Sequence, residues 1–254
     1  MHPPLETQDE LLERAAEILR GAKRVCVLTG AGVSAESGVP TFRAADGLWE
    51  GHHIEDVATP QGFARDPKLV WRFYNARRAN AAKVKPNPAH YALVAIEDRL
   101  GANFTLATQN VDGLHRVAGS RNLLELHGSL RRTRCTACGV EADRGLEPLG
   151  ELPECLECGG LLRPAIVWFH EILPEDVIEA AMTAASTCDV LLVVGTSAVV
   201  FPAASLIPIA RGAGATVIES NLTRTEASHQ VDIGLYGPSG QVLPRLVAKT
   251  WTSQ

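Results

Sequence analysis

The sequence predicts an α/β chain built as a doubly wound parallel sheet with a smaller inserted lobe. Apolar, β-rich runs alternate with helical patterns, as strands and crossover helices do in such sheets. The first of these runs leads directly into a glycine turn, "RVCVLTGAG" at 24–32. Two stretches, 44–85 and 132–163, break the alternation, and the second carries two Cys-x-x-Cys pairs.

Taken in order, Thr7 and Glu10 are spaced as a capping box ahead of Leu11, Leu12, Ala15, Ile18 and Leu19, with Gly21 placed to end that helix. The run at 24–32 is a buried strand. A helical pattern follows at 87–100, then a strand in "NFTLAT", a helix over 174–187, and a strand in "DVLLVVGTS". The helical pattern at 202–212 contains Pro208, which is expected to kink or break it, and "ATVIESN" supplies a further strand. The sheet domain is therefore assigned residues 1–43, 86–131 and 164–254, and the insertions 44–85 and 132–163 form the small lobe.

The 254 residues carry a net charge of −5 without any basic run, so nucleic acid is not the expected partner. No stretch reaches the roughly 18 apolar residues of a membrane span, and "MHPPLETQDE" has no apolar signal core. A cytoplasmic protein acting as a monomer, without membrane contact, is expected.

Gly30, Gly32 and Ala35 have G-x-G-x-x-A spacing after a strand, the context for cradling a pyrophosphate with backbone amides. Glycine turns in that place also serve packing alone. The acidic residue that would hold a ribose hydroxyl about 20 positions on cannot be assigned, because an insertion begins near Ala44. Cys135, Cys138, Cys155 and Cys158 give C-x2-C-x16-C-x2-C, the spacing of a closed, structural zinc site. Cys26 and Cys188 fall in or beside apolar strands and read as packing residues. Gln109, Asn110, Asp112 and His127 follow apolar runs, at the strand ends where open α/β sheets bind ligands. His127 is either a general base or a structural histidine. His52, His53, His90 and His115 read as loop or helix-surface residues.

In "WRFYNARRANAAK", 71–83, helical geometry turns Arg77 onto the apolar arc between Phe73 and Val70, with Tyr74 beside it. Arg72, Asn75 and Arg78 point the other way, and both arginines there read as solvated charge.

Through "GAGVSAESGVPTFR", "TQNVDGLHRVAG", "LELHG", the cysteine pairs, "LLRPAIVWF", "VVGTSAVVFPAA" and "SNLT", the chain resembles the sirtuins, NAD-dependent protein-lysine deacylases. The resemblance implies a Rossmann-like domain and a lobe made of a helical module and a zinc ribbon, with NAD and acyl-lysine meeting between them. It implies that Gly30, Ala31, Gly32, Glu36, Phe42 and Arg43 hold or cover NAD, with Gly195, Thr196, Ser197, Asn221 and Ser239 on the adenosine side. Gln109, Asn110 and Asp112 would receive nicotinamide and its ribose, and His127 would act as base on a ribose hydroxyl after the acyl oxygen has displaced nicotinamide. Val167, Trp168 and Phe169 would pair with the substrate peptide, and zinc would take no part in the chemistry. The implied products are free lysine, nicotinamide and O-acyl-ADP-ribose.

Sirtuins that prefer acidic acyl groups carry a Tyr-x-x-Arg beside a small Ala, and Tyr74, Arg77 and Ala58 supply that set here. Succinyl-, malonyl- or glutaryl-lysine is the expected substrate, with acetyl-lysine also processed. The alternative for Arg77 is a local pair with Glu55 or Asp56. The alternative functions are a general deacetylase, a noncatalytic NAD sensor and mono-ADP-ribosyl transfer. One departure stands out: after Phe169 the family has Gly-Glu, whereas this chain has His170 and Glu171, which puts the local turn in question.

Overall fold

The computed structural model describes residues 6–41, 48, 49 and 51–251. Helix α1, Gln8–Gly21, starts at the expected capping box: Thr7 accepts from the Glu10 amide at 3.3 Å, and its own amide donates to the Glu10 carboxylate at 2.7 Å. Strand β1, Val25–Thr29, follows. A short hairpin, β2 (Leu48–Trp49) and β3 (His52–His53), leads into α2 (Ile54–Val57), α3 (Pro60–Arg65) and α4 (Pro67–Ala81). Helix α4 is started by Asp66, whose carboxylate accepts from the Leu69 amide at 2.9 Å, and by Pro67, which has no N–H to satisfy there.

The chain then forms α5 (Pro88–Leu100), β4 (Phe104–Thr108), α6 (Leu114–Ala118) and β5 (Leu123–Glu125). Strands β6 (Gly128–Cys135), β7 (Glu141–Asp143) and β8 (Leu162–Ile166) make an antiparallel sheet in the order β7-β6-β8. The remainder is α7 (Glu175–Thr187), β9 (Val190–Val194), α8 (Leu206–Gly212), β10 (Thr216–Asn221), β11 (Ile233–Tyr236) and α9 (Ser239–Trp251).

Among the described residues the main sheet has six strands, all parallel, in the order β11-β10-β9-β1-β4-β5. This is the doubly wound sheet the sequence predicts. Side chains alternate across it: Val25 and Val27 join the core beneath α1, α5 and α9, while Cys26 and Leu28 join the core beneath α7 and α8. Covered on both faces, such strands are continuous apolar runs. The small lobe has a separate core in which Trp71, Phe73 and Tyr74 of α4 meet Leu130, Leu162, Ile166 and Trp168. The Trp71 indole N–H is satisfied by the Leu162 carbonyl at 2.9 Å.

Several expectations need correction. Strands β5 and β11 and helices α6 and α9 are additional to those read from the sequence. Pro208 does not break its helix: a 3-10 turn at Ala203–Ser205 gives way to α8, and Pro208 sits in the first turn, where a missing N–H costs nothing. Arg78 is not solvated charge but 2% exposed. Its guanidinium donates to the carbonyls of Glu147, at 2.9 and 3.2 Å, of Arg144, and of Leu130. Asn75, on the same side of α4, exchanges two hydrogen bonds with the Leu149 backbone, at 2.7 and 2.8 Å. The face opposite the apolar arc of α4 is thus covered by the 144–149 segment, and helical periodicity alone cannot anticipate a second covering layer.

Candidate active site

A cleft of about 750 Å³ lies at the carboxyl ends of β1, β4, β9 and β10 and is closed on its other side by the small lobe. Strand order reverses between β1 and β9, so their two loops diverge from the switch point where open α/β sheets bind ligands. After β1 the chain makes a 3-10 helix over Ala31–Ser37. The Gly30 amide donates to the Val194 carbonyl at 3.1 Å, and the Gly32 amide to the Gly195 carbonyl at 2.7 Å. A Cβ on Gly32 would lie 2.7 Å from that carbonyl oxygen, so the glycines are required by the close approach of two loops. Glu36 accepts from the Gly240 amide at 2.6 Å, tying the same loop to the start of α9.

Gly30, Ala31, Gly32, Glu36, Gly195, Thr196, Ser197, Asn221 and Ser239 line this end of the cleft. Gln109, Asn110, Asp112 and His127 line its floor, and Ala58, Tyr74, Arg77, Val167, Trp168 and Phe169 line the side formed by the small lobe. Phe42 and Arg43 lie outside the described residues. Sequence reasoning missed Ser34, which is buried and joins the floor residues together. The Asn110 amide donates to Ser34 Oγ at 3.2 Å and to the Gly30 carbonyl at 3.1 Å, and Ser34 also hydrogen-bonds the Asp112 carboxyl. Burial pushes the Asp112 carboxyl above its ordinary range, against the opposing effects of the Leu114 amide, Ser34 and Arg77.

His127 is fixed by one bond. Its Nδ1 lies 3.1 Å from the Gln109 carbonyl, which can only accept, so Nδ1 carries the hydrogen and Nε2 keeps its lone pair. Burial lowers its pKa, with the Gln109 bond opposing. The ring is therefore neutral at pH 7 and suited to take a proton.

His90 and His115, expected on helix surfaces, are instead buried beneath this floor with ring centroids 4.8 Å apart. His90 is part of the cap of α5, its Nδ1 accepting from the Asn87 amide at 3.2 Å, and His115 Nε2 lies 3.0 Å from Thr29 Oγ1. Burial pushes His90 down to about 4 and His115 to about 3. The unfolded chain takes up protons at these rings near pH 6.5 and the folded one does not, so their contribution is constant above that pH and stability falls as pH drops towards 4. Each ring contributes at most about 1.4 kcal/mol per pH unit within that window. Urea midpoints from pH 7.5 to 4.5 are expected to fall less steeply in His115→Gln than in the wild type; equal slopes would show that His115 is not held neutral.

On the small-lobe side, Trp168 Nε1 donates to the Tyr74 hydroxyl at 2.9 Å. Burial raises the Tyr74 pKa to about 12, so the phenol stays protonated. The Arg77 guanidinium lies 5.5 Å from the centroid of Phe73. Asp56 is engaged by Arg65 at 2.5 Å, and Glu55 lies 3.6 Å from His170. His170 has φ 68°, a left-handed turn that glycine adopts more readily, and Glu171 beyond it binds Arg163 through both oxygens, at 2.6 and 2.7 Å. The turn questioned from the sequence thus keeps a glycine-like conformation. Val167 and Phe169 are tied by their amides to the carbonyls of His127 and Ala58, both at 3.0 Å.

In the small lobe, the sulfurs of Cys135, Cys138, Cys155 and Cys158 all lie within 4.8 Å of one another. The Cys135–Cys158 separation is 3.5 Å and Cys138–Cys155 is 3.8 Å, close to the ~3.8 Å edge of a tetrahedron with Zn–S bonds of about 2.3 Å. The donor set fits one structural zinc and leaves no coordination position for water. Cys26 and Cys188 are buried packing residues, as expected, and burial raises both thiols, Cys188 to about 11.

Comparison with known proteins places this geometry. The model of the Sir2 family matches residues 30–202. An NAD-dependent protein deacylase of Pyrococcus abyssi is 49% identical over 243 residues, covering 93% of this chain and 97% of the relative. The mitochondrial NAD-dependent protein deacylase sirtuin-5 of Canis lupus familiaris is 45% identical over 89% of this chain and 82% of its own length. The solved structure of a Sir2 homologue in complex with NAD is 45% identical, superposes with a TM-score of 0.88, and covers 98% of this chain and 96% of that one.

Proposed function

The chain belongs to the Sir2 family and is an NAD-dependent protein deacylase, and from that premise we propose that it acts on lysines carrying acidic acyl groups, succinyl, malonyl or glutaryl, while also accepting acetyl. The observation that carries this reading is the hydrogen-bond direction at Tyr74. Its oxygen already receives the Trp168 indole N–H, so its own hydrogen is left to donate. A phenol donor beside the Arg77 guanidinium in the cleft is a receptor for a carboxylate, and Ala58 leaves room for it.

Bound NAD supplies an electrophilic ribose carbon with nicotinamide as its leaving group. Asn110 and Asp112, tied together from behind by Ser34, form the floor that would hold that half of the cofactor. His127 Nε2 takes the proton of a ribose hydroxyl, while the Gln109 carbonyl keeps the ring in the required tautomer. Val167 and Phe169 present the peptide, anchored to the catalytic histidine and to Ala58, which caps α2. The four cysteines hold zinc as a fold element alone.

The test compares kcat/KM for one peptide bearing succinyl- or acetyl-lysine, in the wild type and in Arg77→Met. A lost charged hydrogen bond of about 1.5–3 kcal/mol predicts a fall of roughly 10- to 150-fold for succinyl, with acetyl little changed. If the wild type prefers acetyl and Arg77→Met changes neither rate, the enzyme is a general deacetylase and Arg77 is structural.

A further inference from the structure

At the far end of the cleft, a buried carboxylate holds the nitrogen of a neighbouring side-chain amide. Glu219, on β10, is 1% exposed and does not line the cleft. Its Oε1 accepts from Asn221 Nδ2 at 2.9 Å and from Thr225 Oγ1 at 2.8 Å. Its Oε2 accepts from Ser228 Oγ at 2.5 Å and from the Tyr236 hydroxyl at 3.1 Å. The second hydrogen of Asn221 Nδ2 goes to the Thr196 carbonyl at 2.8 Å.

Both partners of that amide nitrogen, a carboxylate and a carbonyl, are acceptors only. The amide therefore has one orientation, with Nδ2 turned inward and Oδ1 left over. Oδ1 has no hydrogen bond among the described residues, and Asn221 lines the cleft. We propose that Glu219 is a positioning residue that locks Asn221 with its acceptor towards the adenosine ribose, and that this selects NAD over NADP. A ribose hydroxyl can donate to Oδ1. A 2′-phosphate brings only acceptor oxygens and a charge near −2, facing Oδ1 with the Glu219 carboxylate behind it. Among the described residues no lysine or arginine lines this end to compensate; Arg77, in the small lobe, is the one such side chain among the described lining residues. The acidic ribose-binding residue that the glycine loop leads one to seek about 20 positions on thus has an indirect counterpart on β10. This inference rests on the chain's use of NAD and is independent of its acyl preference.

The experiment is calorimetric titration of the full chain with NAD and with NADP, alongside steady-state kinetics. The wild type is expected to bind NAD at least about tenfold more tightly than NADP. Glu219→Met should lose most of that ratio, because the Thr196 carbonyl alone then holds the amide and no longer fixes Oδ1 towards the cleft, and should raise the KM for NAD while leaving the KM for acyl peptide unchanged. Glu219→Gln should keep the ratio, since its oxygen still accepts from Asn221 and its nitrogen can donate to the hydroxyls of Ser228 and Tyr236. Asn221→Leu, which keeps the branching at Cγ without the amide, serves if Glu219→Met does not fold, and should lose the ratio as well. Combining it with Glu219→Met should add nothing further to the ratio. A folded Glu219→Met or an Asn221→Leu with the wild-type ratio overturns the proposal, as does equal loss in Glu219→Gln, which would assign the effect to charge. A wild type that binds neither dinucleotide removes the NAD reading itself, and this inference with it.

Discussion

His127→Ala is expected to lower kcat by about 10²- to 10⁴-fold while NAD still binds, because the loss is that of a positioned general base. The tautomer suits this role. The Gln109 carbonyl takes the Nδ1 hydrogen at 3.1 Å, which leaves Nε2 basic and aimed into a cleft that it lines. Burial disfavours the imidazolium, so the resting ring is unprotonated and its Nε2 lone pair is available. In the wild type the acid limb of the kcat/KM profile, which reports the free enzyme, should therefore lie below pH 6.5, activity being lost as pH falls through the lowered pKa and retained above it. Single-turnover kinetics with an NAD titration separate the two effects. Normal turnover in the variant would remove His127 as the base.

Loss of zinc should have the second large effect, through folding and not through chemistry. Cys135 and Cys155 are buried in the same core as Trp71, Tyr74, Leu130 and Trp168. Structural zinc contributes on the order of 10–16 kcal/mol at neutral pH in small domains, more than the core of a lobe this size supplies alone. Cys155→Ser, or chelation, is expected to make the small lobe sensitive to protease and to abolish deacylation, although no zinc-bound water exists to be lost. Melting and proteolysis followed with metal content decide it. A metal-free protein with unchanged melting and full activity would show that the four thiols pack without an ion.

The sheet was legible because strands covered on both faces are written as continuous apolar runs, as in β1 and β9. Helix α9 was not, because Pro244 lies inside it and Gly237 and Gly240 flank its start, signals that normally mark a loop. The residues singled out on the cleft wall came from local motifs at strand ends, where position follows from fold class. Ser34 escaped notice, and His90 and His115 were placed on the surface, because their surroundings are made by tertiary contacts: nothing near His115 in sequence announces the Thr29 hydroxyl. Arg78 was misread for the same reason, its burial being imposed by a segment some 66 to 69 residues away.

That buried arginine limits how this pocket can be re-engineered. Helix α4 offers Tyr74 and Arg77 from one side and is bolted through Arg78 to three backbone carbonyls on the other. A transplant of residues 67–81 into another scaffold would carry the two proposed recognition side chains without the carbonyls that set the helix's height and roll. Conversely, a deletion within 144–149, remote from the cleft in sequence, would move the depth at which an acyl chain ends. On the proposed acyl-binding role of Tyr74 and Arg77, acyl length becomes a property of two chain segments in register, and selection for a new one is expected to find productive changes in 144–149 as well as in the helix itself.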